Sequence, residues 1–446
     1  MLKNYRPVSN IKFISKIIEK AASCQIVDYV DSNRLGEKFQ SSYKKHHSTE
    51  TALLKVKSDI LQSIDNNKAV LMVLLDMSAA FDTVDHALFL QRLDKRFGIR
   101  GFANSWFKTY LENRTTKVAI NQVFSDDHIL KYSLPQGSII GPQGFIMYTS
   151  PIGDIIRKYN ICFHAYADDV QLYSEFNHKI AGDCERALSN IVACVAELNS
   201  WLVQNKLQLN QDKTEFCVMA SNRVVKTLGE IQLNLGDANI RPSLNVKNLG
   251  VTFDASLSMS AHIGSVCKTV NFHIRNLWRI RRFITQDACH SAVRSLVLSR
   301  IDYANSLLFN VRSVDLMRLQ RLQNKAARLV FACGRDASST DLLSSLHWLP
   351  VKDRINFKTV LYVYKCLHDA APSYLIDFVS LQSEKNTSEC RRRLRSSSDS
   401  TRLFVACSKK RAGVSSFLVA AAKLWNELPV YLRESVSVPA FRRGLN

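Results

Sequence analysis

Apolar residues recur at helical spacing from Lys12 to Val30, with Phe13, Ile14, Ile17, Ile18, Ala21 and Ala22 in the repeat. Thr49 to Ile64 shows the same pattern after a polar stretch, so two amphipathic helices open the chain. The run Ala69-Val70-Leu71-Met72-Val73-Leu74-Leu75 has no polar position, which predicts a strand covered on both faces, and it ends in Asp76. A helix follows from Asp85, with Leu90, Leu93 and Phe97 on one face and Gly98 closing it. Thr116 to Ile120 and His128 to Ser133 are short β-prone segments, and Pro142 suits the first turn of a helix running through Phe145 towards Ile156. Ile161 to Tyr173 reads as strand, two-residue turn and strand, with Asp168 and Asp169 at the bend. A helix over Asp183 to Leu202 and a strand over Lys213 to Met219 complete a mixed α and β unit.

Beyond about Ser256 the pattern becomes mainly helical, over Ile263 to Ile284, Asp287 to Leu298 and Val314 to Val330, with no clear strand. More helices follow from Leu346, interrupted by the Ser/Arg-rich stretch Ser380 to Asp399, which contains Arg391-Arg392-Arg393 and reads as a linker. With 446 residues, 46% of them hydrophobic, the chain can bury a substantial core in two to four domains.

Charge narrows the partners. Sixty Lys and Arg against 39 Asp and Glu leave +21, which points to a polyanion, nucleic acid before membrane. Much of the excess lies along His273 to Arg328, including Arg275, Arg279, Arg281, Arg282, Arg294, Arg300, Arg318 and Arg321. The eleven cysteines form no C-x-x-C pair and read as reduced thiols, excluding a zinc module and a disulfide framework. The start MLKNYRPVSN has no apolar signal region, and the longest apolar run is too short to span a bilayer. A cytoplasmic and nuclear protein with no membrane partner is expected.

The chemistry concentrates in three carboxylates. Asp76 ends a buried strand, and Asp168 with Asp169 tip a hairpin able to pair beside it. Such a cluster suits hard cations such as Mg²⁺, and in-line phosphoryl transfer uses two ions about 3.5–4 Å apart. Around them, Leu75-Asp76-Met77-Ser78-Ala79-Ala80-Phe81-Asp82-Thr83-Val84-Asp85-His86, Leu134-Pro135-Gln136-Gly137-Ser138 with Gly141-Pro142, and Tyr166-Ala167-Asp168-Asp169 resemble the ordered motifs of non-LTR (LINE-type) reverse transcriptases. Asn4-Tyr5-Arg6-Pro7-Val8-Ser9, Leu209-Asn210 with Lys213-Thr214, and Asn248-Leu249-Gly250-Val251 match the family's fingers, lysine and primer-grip motifs. Tyr148-Thr149-Ser150-Pro151, Leu346-His347-Trp348-Leu349-Pro350-Val351 and Leu424-Trp425-Asn426-Glu427-Leu428-Pro429 resemble jockey-like and chicken-repeat-like members in particular.

The resemblance implies an α+β right-hand polymerase: fingers and a palm with an antiparallel sheet over 1–255, a basic helical thumb over 256–345, and a mainly α C-terminal region over 346–446. It implies an RNA-directed DNA polymerase acting on an RNA template, a DNA primer and deoxynucleoside triphosphates, with two Mg²⁺ ions, or Mn²⁺ in their place. Asp76, Asp168 and Asp169 would be metal ligands, joined by the backbone carbonyl of Met77, and Lys213 the general acid for pyrophosphate. Arg6, Ala79, Ala80, Phe81, Gln136 and Gly137 would bind the nucleotide, Phe81 by crowding a 2′-hydroxyl. Arg275, Arg279, Arg281 and Arg282 would hold the duplex through its phosphates.

Departures carry expectations too. Gln40 to Thr49 replaces the glycine and aromatic-arginine pair of the second fingers motif, and Gln143-Gly144 replaces two apolar residues, which should loosen a supporting helix. The sequence begins at the fingers motif, without the lysine-bearing strand and endonuclease usual upstream, so an N-terminally truncated product unable to nick its target is expected. An inactive nucleic-acid-binding relic of such an element is the alternative reading.

Overall fold

The computed structural model describes residues 8–78, 81–236, 238–382 and 401–445. Its first elements are α1 (Phe13–Ser32), α2 (Thr49–Asp65) and the strand β1 (Ala69–Leu75). The helices α3 (His86–Lys95), α4 (Gly101–Leu111), α5 (Gly141–Tyr148), α6 (Ile152–Lys158) and α7 (Asp183–Gln204) follow. The single helix expected from Pro142 to Ile156 is two. Pro151 lacks an amide donor and disfavours helical backbone at Ser150, so α5 stops and α6 restarts. Helix α4, entered through Arg100 with no side-chain cap, was not expected from the sequence.

β1 lies inside a four-stranded antiparallel sheet, between Glu215–Met219 and Asp169–Phe176, with Cys162–Tyr166 outermost. This explains its unbroken apolar run. Ala69, Leu71, Val73 and Leu75 join a core with α3 to α7, while Val70 and Met72 join a second core with α2. That second core continues through the hairpin Asn245–Asn248 and Val251–Asp254 and the helices Ser260–Ile280 and Ser313–Phe331 to Trp425 and Phe441. The sequence missed this hairpin, whose two-residue turn is left-handed at both Leu249 (φ 43°) and Gly250 (φ 82°).

Helix α2 departs from its amphipathic pattern. Ser48 caps it reciprocally with Thr51, and its polar stripe is buried along with its apolar one. Glu50 accepts from the Ser306 amide at 3.0 Å and pairs with Lys358 at 2.7 Å. Lys57 donates to the Leu307 carbonyl, and Ser58 accepts from the Phe417 amide at 2.9 Å. Asp65 accepts from the amides of Lys409 at 3.0 Å and Lys410 at 2.6 Å. In α1 the outcome is opposite, with Phe13, Ile14, Ile17 and Ile18 all more than half exposed.

The expected loosening at Gln143-Gly144 is corrected for the glycine. A Cβ at Gly144 would meet Leu134 at 3.1 Å and Phe89 at 3.2 Å, so its neighbours already close the gap. The departure leaves a different defect, the buried and unpartnered Oε1 of Gln143.

Two histidines are held neutral. Burial pushes His164 down to about 3, with nearby Lys55, His47 and Lys44 adding to the effect, and pushes His262 down to about 4. The unfolded chain takes up a proton on each near pH 6.5, so their contribution to stability is full above that pH and is lost as pH falls towards 4. These two protons outnumber the one on Asp169, whose carboxyl is raised to about 6 and acts in the opposite sense. The thermal unfolding midpoint should therefore fall between pH 7 and pH 5; a flat midpoint over that range would mean both imidazoles reach water.

Candidate catalytic site at the sheet end

The site follows from strand register. β1 pairs Leu75 with Val170 on one side and Leu74 with Glu215 on the other, so extending each ladder sets Asp76 across from Asp169 and from Lys213. The contacts agree: Lys213 Nζ lies 2.6 Å from Asp76 Oδ2, and the Asn210 amide donates to the Asp76 carbonyl at 2.8 Å. Met77 is buried and continues into a short pairing with Leu209. Asp168 and Asp169 close the hairpin between Cys162–Tyr166 and Asp169–Phe176, with Ala167 left-handed at φ 56°.

Electrostatics mark this end of the sheet. Asp169 is raised to about 6 by desolvation first, then by the charges of Asp168 and Asp76, while Lys213 pulls it back. Its side chain still reaches solvent. Three carboxylates thus face one ammonium. Among the described residues no group of three His, Cys, Asp or Glu side chains is placed to hold a metal ion as it stands. The donor set is nevertheless hard oxygen, and the carboxylate repulsion that adds to desolvation at Asp169 is what a divalent cation relieves, so the residues fit one. Lys213 meets part of that demand at Asp76.

The nucleotide-side candidates are partly visible. Arg6, Ala79 and Ala80 lie outside the described residues. Phe81 is half-buried and stacks on Phe145, centroids 4.5 Å apart. Gln136 Nε2 donates to Asp82 Oδ1 at 2.8 Å, and its carbonyl accepts from Ser9 at 2.8 Å. Gly137 has a local reason to be glycine: its φ is 101°, and a Cβ would meet the Ser9 carbonyl at 3.1 Å.

The basic cluster separates. Arg275, Arg279 and Arg282 are exposed, but Arg281 donates to the carbonyls of Leu329 at 2.8 Å, Val330 at 2.8 Å and Ile284 at 2.9 Å. Arg281 caps the end of the helix Ser313–Phe331, a use that charge patterning could not distinguish from an outward one.

Other residues shape the site without having stood out in the sequence. Buried Glu19 accepts from the amides of Ile139 at 2.6 Å and Ile140 at 3.4 Å, fixing the loop that carries Gln136 and Gly137. Tyr303 donates to the Leu249 carbonyl at 2.6 Å, and Asn248 donates to Gln171 at 3.0 Å, binding the Leu249-Gly250 turn to the strand that starts at Asp169. Gln40 and Ser42 grip Ala167 directly. Each pair spans dozens to more than a hundred positions, and local spacing carried no signal for it.

Comparison with known proteins identifies the family. The sequence profile described as "Reverse transcriptase (RNA-dependent DNA polymerase)" matches residues 2–253. The probable RNA-directed DNA polymerase from transposon BS of Drosophila melanogaster is 24% identical over 371 residues, 81% of this chain and 40% of that protein. The RNA-directed DNA polymerase from mobile element jockey of Drosophila funebris is 22% identical over 403 residues, 88% of this chain and 43% of that protein. The chain thus spans about two fifths of the length of these curated relatives. A telomerase structure from Candida albicans aligns at TM-score 0.38 and 9% identity, over 76% of this chain and 58% of that one. With a profile match over more than half its length and relatives from these mobile elements, the chain belongs to the reverse transcriptase family, among the jockey-like non-LTR retrotransposon members.

Proposed function

We propose that this chain is the polymerase part of a non-LTR retrotransposon protein, extending a DNA primer 3′-hydroxyl with deoxynucleoside triphosphates on an RNA template. The observation that carries this reading is the register that sets Asp76 opposite Asp169 and Lys213 at one open sheet end. On this reading residues 1–255 are fingers and palm, 256–345 the thumb and 346–446 a C-terminal helical region. In support, no helix among the described residues is long and apolar enough to cross a membrane, and the +21 charge suits polynucleotide partners.

Asp76, Asp168 and Asp169, with the Met77 carbonyl, would hold two Mg²⁺ ions, or Mn²⁺. When bound, the metal pair supplies Lewis acidity for the attacking hydroxyl and the departing pyrophosphate. Lys213, 62% exposed on the rim, is free to turn from Asp76 to a phosphate oxygen and give it a proton. The ring of Phe81 would lie under the sugar. Gln136 and Gly137 would line the base, and Arg6, Ala79 and Ala80 are assigned to the nucleotide by motif alone. Arg275, Arg279 and Arg282 would hold the duplex phosphates.

Asp168→Asn should abolish primer extension while leaving folding and duplex binding intact, since an amide is a poor ligand for a hard cation. A normal extension rate would refute the metal assignment; a folded, duplex-binding wild type that never extends would establish the inactive-relic reading. Phe81→Val should raise ribonucleotide use relative to deoxynucleotide use in single-nucleotide kinetics, and an unchanged ratio would leave the ring a packing residue. Neutralising Arg275, Arg279 and Arg282 together should flatten the salt dependence of duplex binding by roughly 0.7–0.9 per lost contact on a log–log plot. Arg281→Ala should instead cost about 2–3 kcal/mol of stability with little change in that slope, because it removes three hydrogen bonds to carbonyls, of which, among the described residues, only that of Leu329 keeps a backbone donor, the Ala332 amide. The reverse pattern would exchange the two roles.

A further inference from the structure

A buried polar network connects the catalytic turn to the C-terminal region. Residues 39–41 run beside the outer edge of the sheet: the Ala165 amide donates to the Phe39 carbonyl at 2.8 Å, and the Ser41 amide donates to the Ala165 carbonyl at 2.9 Å. One step along, Gln40 brackets the peptide of Ala167, accepting from its amide at 3.0 Å and donating to its carbonyl at 3.4 Å. Ser42 Oγ accepts from the same amide at 2.9 Å and donates to Gln40 Oε1 at 2.8 Å. Ala167 is the left-handed residue immediately before Asp168. A left-handed alanine is intrinsically unfavourable, so contacts on its peptide group set where the two aspartates stand.

Ser41 faces the other way. Its hydroxyl lies 2.8 Å from His164 Nε2 and 2.7 Å from the Tyr374 hydroxyl, which donates to Thr51 Oγ1 at 3.0 Å. All of these side chains are buried. With the imidazole neutral and its proton on Nε2, each group donates once in turn, from His164 through Ser41 and Tyr374 to Thr51 in the cap of α2. Tyr374 comes from the segment Ser373–Ile376, far beyond the residues matched by the reverse transcriptase profile. Its ring meets His164 edge-on, centroids 4.9 Å apart.

We propose that Gln40 and Ser42 are positioning residues for the Asp168–Asp169 turn, and that Tyr374 locks them through Ser41, making the C-terminal region part of the polymerase site's support. The inference deepens the polymerase reading and rests on it for the kinetic consequence alone. Displacement of a reacting group by about 1 Å can cost as much as a hundredfold in rate, so loss of one hydroxyl in this chain has a measurable effect.

The test uses the whole chain with Tyr374→Phe, Ser42→Ala and, as a control, Tyr364→Phe, which removes a different C-terminal hydroxyl bonded at 2.5 Å to the Ser435 carbonyl. Two readouts are taken well below the unfolding temperature: hydrogen exchange of peptides covering residues 163–172, and the kcat and KM of primer extension across a Mg²⁺ series. Tyr374→Phe and Ser42→Ala should speed exchange at the Ala167 amide roughly tenfold, lower kcat about tenfold with little change in nucleotide KM, and raise the Mg²⁺ concentration for half-maximal rate. Tyr364→Phe should change none of these. If Tyr374→Phe matches Tyr364→Phe in exchange and in kinetics, the proposal is overturned. If the wild type shows no extension, the polymerase reading fails, and the exchange data decide the positioning role without it.

Discussion

The structure depends on a helix whose charged residues have nowhere to go but into other parts of the same chain. Glu50, Lys57, Ser58 and Asp65 of α2 are buried, and the partners that satisfy them lie 250 to 359 positions away. Unpaired, such groups cost several kcal/mol each, far more than any single apolar contact returns. Lys57 shows the strain of the arrangement: burial lowers its pKa to about 8, and its hydrogen-bond acceptor is a carbonyl rather than a carboxylate. α2 also forms one wall of the sheet's core, so the helix that packs on β1 is itself satisfied by Ser306, Leu307, Lys410 and Phe417 from far along the chain.

From that constraint the candidate site is built outward. β1 delivers Asp76 to the sheet end, and its two neighbours in the ladder deliver Asp169 and Lys213 to the same place. The Leu249-Gly250 turn is tied to the strand that starts at Asp169 through Asn248 and Gln171 and to Tyr303, and the loop carrying Gln136 is fixed by Glu19. These supports are neutral hydrogen bonds or a single carboxylate facing amides. They fix geometry without compensating the carboxylate charge, which remains available for a cation.

Much of this was readable from local pattern. The apolar run of β1, the Tyr166-to-Asp169 bend, α7 and the helical stretches after Ser256 appear close to where periodicity put them, the middle one as Gln286–Val293 continued by a π-helical turn over Arg294–Leu298, since each depends on neighbours within a few residues. Motif order identified Asp76, Asp168 and Asp169 as one set before any register was known. The misreadings have local causes as well. Pro151 split a helix that apolar spacing had joined, and Gly144, which looked like lost packing, is where Phe89 and Leu134 close in.

What the sequence determined by itself was most of the inventory: the locally patterned elements, the carboxylates, the excess of positive charge and the family they belong to. Tertiary structure decided how like residues divide. Arg281 caps a helix while Arg279 beside it faces water; the polar stripe of α2 is buried while the apolar stripe of α1 is exposed; Gln40 and Ser42, in a plain polar stretch, grip Ala167 beside the two aspartates. The physical reason is range. Helix and strand periodicity is set by residues three or four apart, whereas the partner that makes a buried hydroxyl or charge tolerable can come from anywhere in the chain, as Tyr374 comes to Ser41 from 333 positions away.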